Sequence, residues 1–266
     1  GFGVRMDVGQ LLFEEIDEIE QNAKYVGIHH HVITPPIEPF IAQFSNTIDA
    51  EVKRHIFAGG YIENTVQFGK SRGMKVAVDG STRPDVIESG RTGADLIKSH
   101  HNMIEDGWED FIRLRPIQHL FKPEVREFAR ILGLPPCISE REPSPGPGEY
   151  LRVINKPVTL ERLNVAKTAD KRVRTIIPKY GLDKLISQLV VAYICVNTSG
   201  VKGSGRAYAG SICIRPMQTV NYMTANGVYF PREAIEEIEL IVTADSRVIR
   251  VWYDYTKKPP GTIELE

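Results

Sequence analysis

The last ten residues of the chain, 257–266, combine residue types that can hold a charged ligand. They include two lysines, two prolines, one glycine and two glutamates, and they follow a strand-like run over residues 247–256. A chain end is usually frayed, but prolines stiffen it. A stiff tail that leaves a strand can place a cation and a carboxylate at a fixed site.

Three further groups of residues can carry chemistry, and each has a plain structural alternative. Histidines 29–31 offer imidazoles that suit zinc, copper or nickel, but no third ligand is evident, which favours a cluster at a strand end over a metal site. Asp79, Asp85 and Glu88 flank a turn, where they either hold Mg²⁺ or form the turn and cap a helix. Residues 97–102 (Ile-Lys-Ser-His-His-Asn) either bind phosphate or serve in capping and packing.

Composition excludes several classes of protein. The chain has 266 residues, 42% hydrophobic and 25% charged, as expected for an ordinary globular protein of one or two domains. Its formal net charge of -1 gives no basic field that would attract nucleic acid or an anionic membrane. The three cysteines show neither a disulfide framework nor zinc spacing, which favours a reducing cytosol. The longest apolar stretch, residues 189–196, is too short to span a bilayer.

The first half of the chain alternates between helical and strand-like patterns. We predict helices over residues 11–19, 50–66 and 123–132, and strands over 24–33 and 74–78, the second of them buried. This alternation implies a small parallel sheet with ligands at the carboxyl ends of its strands. Five prolines between residues 135 and 148 then end regular structure and mark a boundary.

The second half of the chain predicts the order β-α-β-β-α-β, a compact motif that can form a domain by itself. The predicted strands cover residues 150–155, 185–197, 207–218 and 247–256, and the predicted helices cover 160–177 and 232–243. The fold class is therefore α/β, with a first domain over residues 1–148 and an α+β domain over 149–266.

Several motifs, in one order along the chain, resemble those of GMP synthetases. Residues 80–88 (Gly-Ser-Thr-Arg-Pro-Asp-Val-Ile-Glu) resemble that family's G-T-x-x-P-D-x-I-E, and the tail resembles K-P-P-[AG]-T-[IT]-E-W-E, with Leu265 in place of tryptophan. The other matching segments are residues 97–102, 121–126, 132–135 and 145–148, the last lying between Arg141 and Arg152. The resemblance implies a Rossmann-like ATP-pyrophosphatase domain of the adenine nucleotide alpha hydrolase-like kind, followed by a dimerisation domain that binds xanthosine monophosphate (XMP).

The resemblance also implies an activity and partners. GMP synthetases adenylate XMP with Mg-ATP, and ammonia from glutamine then displaces AMP to give GMP in purine biosynthesis. The chain is then expected to be a cytoplasmic homodimer that receives ammonia from a separate glutamine amidotransferase subunit, as in archaeal-type enzymes.

The same resemblance assigns individual residues. Contacts with XMP fall on Arg54, Gln188, Lys258 and Glu264, while Ser204 stands where the family has an aspartate that contacts XMP. The ATP site falls on Gly3, Val4, Gly80, Asp85, Lys98 and His100.

Several departures from the family put the activity in question. Residues 1–8 match the phosphate loop S-G-G-V-D-S only in part, and the strand that should deliver this loop is predicted to be absent. One α/β unit is predicted to be missing around residues 34–48. Asp79 replaces a glutamine, and Glu142 and Glu149 add acids near the expected phosphate site.

These departures leave three interpretations open. The first is a GMP synthetase subunit or fragment whose ATP loop is truncated or degenerate. The second is a catalytically impaired homologue that acts as a nucleotide-binding, regulatory or scaffold subunit. The third is a related nucleotide-activating enzyme with another acceptor.

Overall fold

The computed structural model of the chain describes residues 1–88 and 107–266. Their contacts divide them into two compact units. The first unit consists of Gly1–Gln43 and Asp49–Pro147, and the second of Phe44–Ile48 and Gly148–Glu266. Both units mix helices and strands, which confirms the α/β class. The domain boundary at residue 148 stays a prediction, because compactness does not show that either unit folds alone.

The first unit is built from short elements. Its strands are β1 (Phe2–Met6), β2 (His29–Ile33), β3 (Val76–Val78) and β4 (Ile112–Leu114). Its helices are α1 (Phe13–Tyr25), α2 (Ile37–Ala42), α3 (Ala50–Ser71), α4 (Arg83–Glu88), α5 (Lys122–Ile131) and α6 (Pro136–Ser139). Among the described residues the strands form two parallel pairs, β1 with β2 and β3 with β4.

The pair β1–β2 is joined through α1, as parallel neighbours require a crossover connection. Strand β2 begins at His29 and not at residue 24, because α1 continues to Tyr25 and Gly27 then turns the chain with a φ of 70°. The predicted burial of residues 74–78 is wrong for the described structure, in which the side chain of Val78 is 66% exposed.

Helix α3 is the longest element of the first unit and confirms the predicted helix over residues 50–66. Asp49 caps its first turn by accepting the Val52 N–H at 2.9 Å. The helix continues through Gly59 and Gly60, although glycine lowers helix stability. Gly60 has a packing role, since a Cβ atom there would lie 2.4 Å from the Phe40 ring. Helix α5 likewise confirms its prediction and ends before Gly133, which has a φ of 77°.

The second unit contains the main sheet. Its strands are β5 (Val153–Ile154), β6 (Gln188–Lys202), β7 (Gly205–Gln218), β8 (Asn226–Gly227) and β9 (Val248–Tyr253). Its α-helices are α7 (Leu160–Ile176) and α8 (Arg232–Thr243), and short 3-10 helices cover Gly148–Arg152, Ile177–Tyr180 and Leu182–Lys184. The long antiparallel hairpin of β6 and β7 pairs with β5 on one side, and with β9 and β8 through β7.

The core of the second unit lies between the sheet and its two α-helices. Alternate residues of β6 and β7, such as Leu189, Val191, Ile212 and Ile214, face α7 and α8 and are buried. The predicted β-α-β-β-α-β order is present, but two details differ. Gly148 turns the chain with a positive φ, residues 148–152 form a 3-10 helix, and only Val153–Ile154 remain as a strand. The short strand β8 was not predicted.

No helix in the two described stretches combines the length and apolar character needed to cross a bilayer.

Candidate functional site

The tail, residues 257–266, is fixed to the second unit by backbone hydrogen bonds and packing. Lys258 and Ala225 exchange two backbone hydrogen bonds of 2.9 and 3.0 Å. The Lys258 Nζ atom donates to the carbonyl of Tyr222 at 2.8 Å. Ile263 is buried against Met217, Tyr222 and Ala225. The tail therefore has a defined position, in contrast to the frayed ends of many chains.

The side chains of the tail differ in exposure along its length. The Lys257 side chain is exposed, whereas that of Lys258 is half-buried. Leu265, which stands where the resemblance expects tryptophan, packs against Ala192 and Cys213 on the face of the sheet opposite to α7 and α8. The tail thus presents only some of its polar groups to solvent.

Two residues that the sequence assigns to XMP meet at the start of β6. The Gln188 Nε2 atom donates to the Glu264 Oε1 atom at 2.9 Å, although the two residues are 76 positions apart. The Nε atom of Arg152 lies 3.6 Å from the Glu264 Oε2 atom. The fold therefore brings an amide, a carboxylate and a guanidinium group together at the end of the tail.

Arg152 joins this pair to a buried group of acids. Its Nη1 atom lies 2.6 Å from the Glu149 Oε1 atom and 3.4 Å from the Asp170 Oδ2 atom. Arg174 pairs with the other oxygen of Asp170. We call these residues, with Glu264, the Arg152 cluster. Three carboxylates here face two guanidinium groups, which leaves an excess of one acid.

Two opposing influences act on the protonation of Glu149. Burial raises the pKa of Glu149 to about 8, against the opposing charge of Arg152 and with further raising by Asp170 and Glu264. Burial thus favours the neutral carboxyl group, whereas the Arg152 contact at 2.6 Å favours the carboxylate. That Glu149 adds a negative charge near the expected phosphate site stays a prediction.

Ser204 is not brought to the tail within this chain. It follows Gly203 at the turn that joins β6 to β7, where Lys202 pairs with Gly205. Gln188 lies at the opposite end of β6, which is 15 residues long and so spans about 45 Å. The expectation that Ser204 shares one site with Gln188 and Glu264 is wrong for a single chain.

Arg54 lies in the second turn of α3, in the first unit. It pairs with Glu51 one turn earlier, and its side chain is 13% exposed. Its neighbour Lys53 is fully buried. Contact between Arg54 and XMP stays a prediction.

Gly3 and Val4 do not lie in a phosphate loop. They occupy the middle of β1 and pair with His30 and His31 of β2. The predicted absence of a strand at this point is wrong, and the loop between β1 and α1 is formed instead by residues 7–12. Both positions lie in extended backbone and not in a loop at a helix N-terminus, so they do not form the cradle for ATP that the resemblance implies.

The turn after β3 is arranged around Asp79. Its Oδ2 atom lies 2.6 Å from the Arg113 Nη2 atom and 3.2 Å from the Arg115 Nε atom. Its Oδ1 atom accepts hydrogen bonds from Ser81. The interpretation of Asp79 as a free negative charge at a phosphate site is therefore wrong, since two arginines neutralise it.

Asp85 and Gly80 have local structural explanations. Asp85 accepts the backbone N–H and the hydroxyl of Thr82 at 2.7 and 2.8 Å, which caps α4. Gly80 is exposed, and a Cβ atom there would meet only open space. Their contact with ATP stays a prediction, and Lys98, His100 and His101 lie outside the described residues.

Other candidate sites in the first unit are separate from these residues. A cavity of about 690 Å³ follows one side of α3, lined by His55, Gly59, Ile62, Glu63, Val66, Gln67, Lys70 and Gly107. None of the lining residues is one that the sequence assigned to XMP or ATP. His31 stacks on Phe68 with ring centroids 4.4 Å apart. Within residues 1–88 and 107–266, no group of three side chains is arranged to hold a metal.

Comparison with known proteins agrees with the motifs. Residues 175–265 match the family described as the GMP synthase C terminal domain. Over 99% of its length the chain is 36% identical to the GMP synthase [glutamine-hydrolyzing] of Thermus thermophilus and equally to that of Nocardia farcinica. The corresponding protein of Aeropyrum pernix is also 36% identical, over 95% of the chain.

The chain is GMP synthetase-like. It spans about half the length of the curated relatives it matches, 53% for the Thermus thermophilus protein and 49% for that of Aeropyrum pernix. The Thermus thermophilus alignment extends over 269 residues, close to the 266 of this GMP synthetase-like chain. An α/β unit of about 20 residues or more therefore cannot be absent from the aligned region. The predicted missing unit around residues 34–48 is wrong.

The sequence did not identify two arginines that organise the tail. Arg152 was noted only as a flank of a motif, and Arg215 was not noted at all. A signal for Arg215 was present, since an arginine within the apolar run of residues 212–217 must find buried partners. Those partners, Asp254 and the carbonyl groups of the tail, are remote in sequence.

Proposed function

We propose that this chain binds XMP and supplies the XMP-binding part of a GMP synthetase. The observation that carries the proposal is the contact of Gln188 with Glu264 at 2.9 Å, on a tail that also carries Lys258. The identity of 36% over 99% of the chain supports the same proposal.

The chemistry of these side chains suits a nucleoside monophosphate. An amide beside a carboxylate offers both donors and acceptors to the polar edge of a purine. A lysine on a fixed tail can pair with a phosphate group through a charge-assisted hydrogen bond. Arg54 is proposed as a further XMP contact from the first unit.

The proposed overall reaction is the amination of XMP to GMP. Bound Mg-ATP would supply the adenylyl group that turns an oxygen of the XMP purine into a leaving group, and pyrophosphate would be released as the bond between the α- and β-phosphates breaks. Ammonia would then attack the carbon that bears this oxygen, and AMP would leave with the oxygen. The proposed role of Gln188, Lys258 and Glu264 is to hold XMP in place, and positioning is a large part of catalysis in phosphoryl and nucleotidyl chemistry.

The alternative of an impaired regulatory or scaffold homologue keeps part of its support. The aligned region has no room for a missing unit, and two arginines neutralise Asp79. The positions expected to hold the ATP phosphates lie in strand β1, which leaves ATP use in question. Ser204 still replaces an aspartate. Pyrophosphate release with XMP, Mg-ATP and ammonia separates the two functions, since only an active enzyme releases it.

Titration of XMP into two lysine variants tests the proposal. Lys258→Ala should lose about ten- to hundredfold in affinity, because it removes a charge-assisted contact of about 1.5–3 kcal/mol. The matched control Lys257→Ala should lose far less, since its side chain is exposed. The loss of XMP affinity in Lys258→Ala should be smaller at high salt if the contact between Lys258 and the ligand is exposed to solvent. Equal and small effects of both variants would reject the tail as the XMP site.

Comparison of XMP with Mg-ATP extends this test. We expect XMP to bind more tightly than Mg-ATP to the chain, because the two ATP positions Gly3 and Val4 are paired in β1. Calorimetry that shows tight Mg-ATP binding and none for XMP would reverse this ranking.

The homodimer, the separate glutamine amidotransferase subunit and the cytoplasmic location belong to the same proposal. Sedimentation of the chain at micromolar concentration tests the dimer, which is expected to form through residues 149–266 and to bury over about 2,000 Å². A stable monomer would contradict this part of the proposal.

A further inference from the structure

Arg215 lies inside the second unit and binds the tail through its backbone. The Arg215 Nε atom donates to the carbonyl oxygens of Thr262 and Ile263 at 3.2 and 3.0 Å. Its Nη2 atom donates to the same Thr262 oxygen at 2.6 Å. One guanidinium group thus holds two successive carbonyl groups of the tail, immediately before Glu264.

The remaining nitrogen of this guanidinium binds the strand from which the tail departs. The Arg215 Nη1 atom lies 2.8 Å from the Asp254 Oδ2 atom, one residue beyond β9. Asp254 is itself fixed, since its other oxygen accepts the Thr256 N–H at 2.8 Å. Burial acts to raise the pKa of Asp254. The hydrogen bonds from Thr256 and the charge of Arg215 outweigh burial and keep this pKa below its usual range. The pair is therefore charged at neutral pH.

Burial makes this arrangement specific to arginine. The Arg215 side chain is 1% exposed, and a buried charge is costly unless its donors are satisfied. The guanidinium is a planar fork whose donors can reach the carboxylate and both carbonyl groups at once. A lysine has the charge but not the fork, so it cannot hold all three acceptors in the same geometry.

The tail also approaches this guanidinium closely at Gly261. A Cβ atom there would lie 3.0 Å from the Arg215 Nη2 atom and 3.3 Å from the carbonyl oxygen of Lys257. Arg215 therefore sits within the bend of the tail, between the anchor at Lys258 and the contact of Glu264 with Gln188.

We propose that Arg215 is a positioning residue that sets the placement of Lys258 and Glu264 for ligand binding. The proposal rests on the proposed function for its ligand, XMP, but the hold on the tail can be measured without any ligand. Arg215 acts through the backbone of the tail, and its donors described above are directed to protein oxygens.

The test compares Arg215→Lys with Arg172→Lys in the full chain. Arg172 is the matched control, because its Nη1 atom also donates to a backbone carbonyl of the second unit, that of Ile241 at 3.0 Å, away from the tail. Hydrogen exchange is followed at the amides of Lys258 and Gly261, whose N–H groups donate to Ala225 and Lys257. XMP affinity is measured in parallel, and circular dichroism checks that each variant is folded.

We expect Arg215→Lys to speed exchange at both amides by about tenfold or more and to weaken XMP binding by about tenfold. Arg172→Lys should change neither quantity. Adding Lys258→Ala to Arg215→Lys should cost much less affinity than it does alone, since a displaced tail no longer presents Lys258 well. Additive losses would contradict positioning through the tail.

The two readouts separate the inference from the proposed function. Suppose that wild type shows no XMP binding but that hydrogen exchange at the tail amides is faster in Arg215→Lys. This result would support the role of Arg215 in holding the tail and would reject XMP as the ligand. Unchanged exchange in a folded Arg215→Lys chain would overturn the inference. If Arg215→Lys does not fold, Asp254→Asn is the second variant. Its amide keeps one acceptor for the Thr256 N–H but places an N–H donor beside Arg215, so it should disturb Arg215 and speed exchange at the two tail amides. Unchanged exchange in a folded Asp254→Asn chain would also overturn the inference.

Discussion

Similar apolar residues have opposite environments in the two units. Ile212 and Ile214 of β7 have no measurable exposure, whereas Val78 of β3 and Ile112 of β4 are about two-thirds exposed in the described structure. All four are β-branched residues, and each of them lies in a strand. The difference comes from neighbours, since β7 lies between β6 and β9 and under two helices, while β3 pairs with β4. Burial is therefore set by the layers that the rest of the chain supplies and not by residue type.

Ion pairs also differ in burial, although each unit holds buried and exposed examples. Within the Arg152 cluster of the second unit, the side chains of Arg152, Glu149 and Asp170 are almost fully buried. The first unit contains exposed pairs such as that of Lys70 with Asp110, whose side chains are 55% and 64% exposed. Ion pairs of equal chemistry should then contribute very differently to stability.

The largest expected effect is the loss of Arg152. Arg152→Met should lower the free energy of unfolding by about 3–5 kcal/mol, because it leaves buried carboxylates without their cation. Lys70→Met, the matched change in the first unit, should cost at most about 1 kcal/mol. Urea unfolding of both variants measures the difference. Equal and small costs would show that the Arg152 cluster is hydrated and would remove this contrast between the two ion pairs.

A smaller effect is expected from apolar truncation. Ile238 of α8 is fully buried in the core of the second unit, so Ile238→Ala should cost about 2–5 kcal/mol. Val78→Ala should change stability by no more than about 0.5 kcal/mol, since the side chain is mostly exposed already. Thermal unfolding compares them. A large loss from Val78→Ala would mean that β3 is covered in solution and that the two units are more alike than the described residues indicate.

The sequence predicted the second unit better than the first for a physical reason. The alternation over residues 185–197 and 207–218 identifies a long hairpin because each strand has one face against helices. The helix over 232–243 has the bounds that were predicted. In the first unit, residues 1–8 carry no such pattern. A loose match to a phosphate loop was therefore preferred to a strand, and the pairing of β1 with β2 decided against it.

The residues of the candidate site could be predicted only where a local sequence motif contains them. The tail motif identified Lys258 and Glu264 as candidate ligand contacts. In the fold, the Glu264 carboxylate accepts a hydrogen bond from Gln188, which the sequence assigned to the same ligand. Asp170 and the partners of Arg215 could not be found this way, because packing of remote segments brings them together. Asp79 was misjudged for the same reason. A sequence does not show which groups a carboxylate will contact. Its charge state depends on whether the fold places arginines beside it or buries it.

The last expected effect is spread over several pH units and is the dependence of stability on pH through Glu149. Its pKa is about 8 in the folded chain, against an ordinary value of 4.5. A group whose pKa is raised on folding contributes stability that is fully present below its unfolded pKa and is lost as the pH rises through its folded pKa. Between about pH 4.5 and 8, wild type should therefore lose stability at up to about 1.4 kcal/mol per pH unit from this one proton.

Glu149→Gln isolates this contribution, because glutamine has nearly the shape of the protonated acid and does not titrate. Relative to wild type, the variant should gain stability as the pH is raised from 5 to about 8, and the difference should level off above the folded pKa. The control Glu236→Gln, at an exposed side chain of α8, should follow the wild-type pH dependence. Urea unfolding at intervals of one pH unit measures all three chains. A Glu149→Gln curve parallel to wild type would mean that Glu149 ionises in the folded chain, and the Arg152 cluster would then hold three anions against two cations.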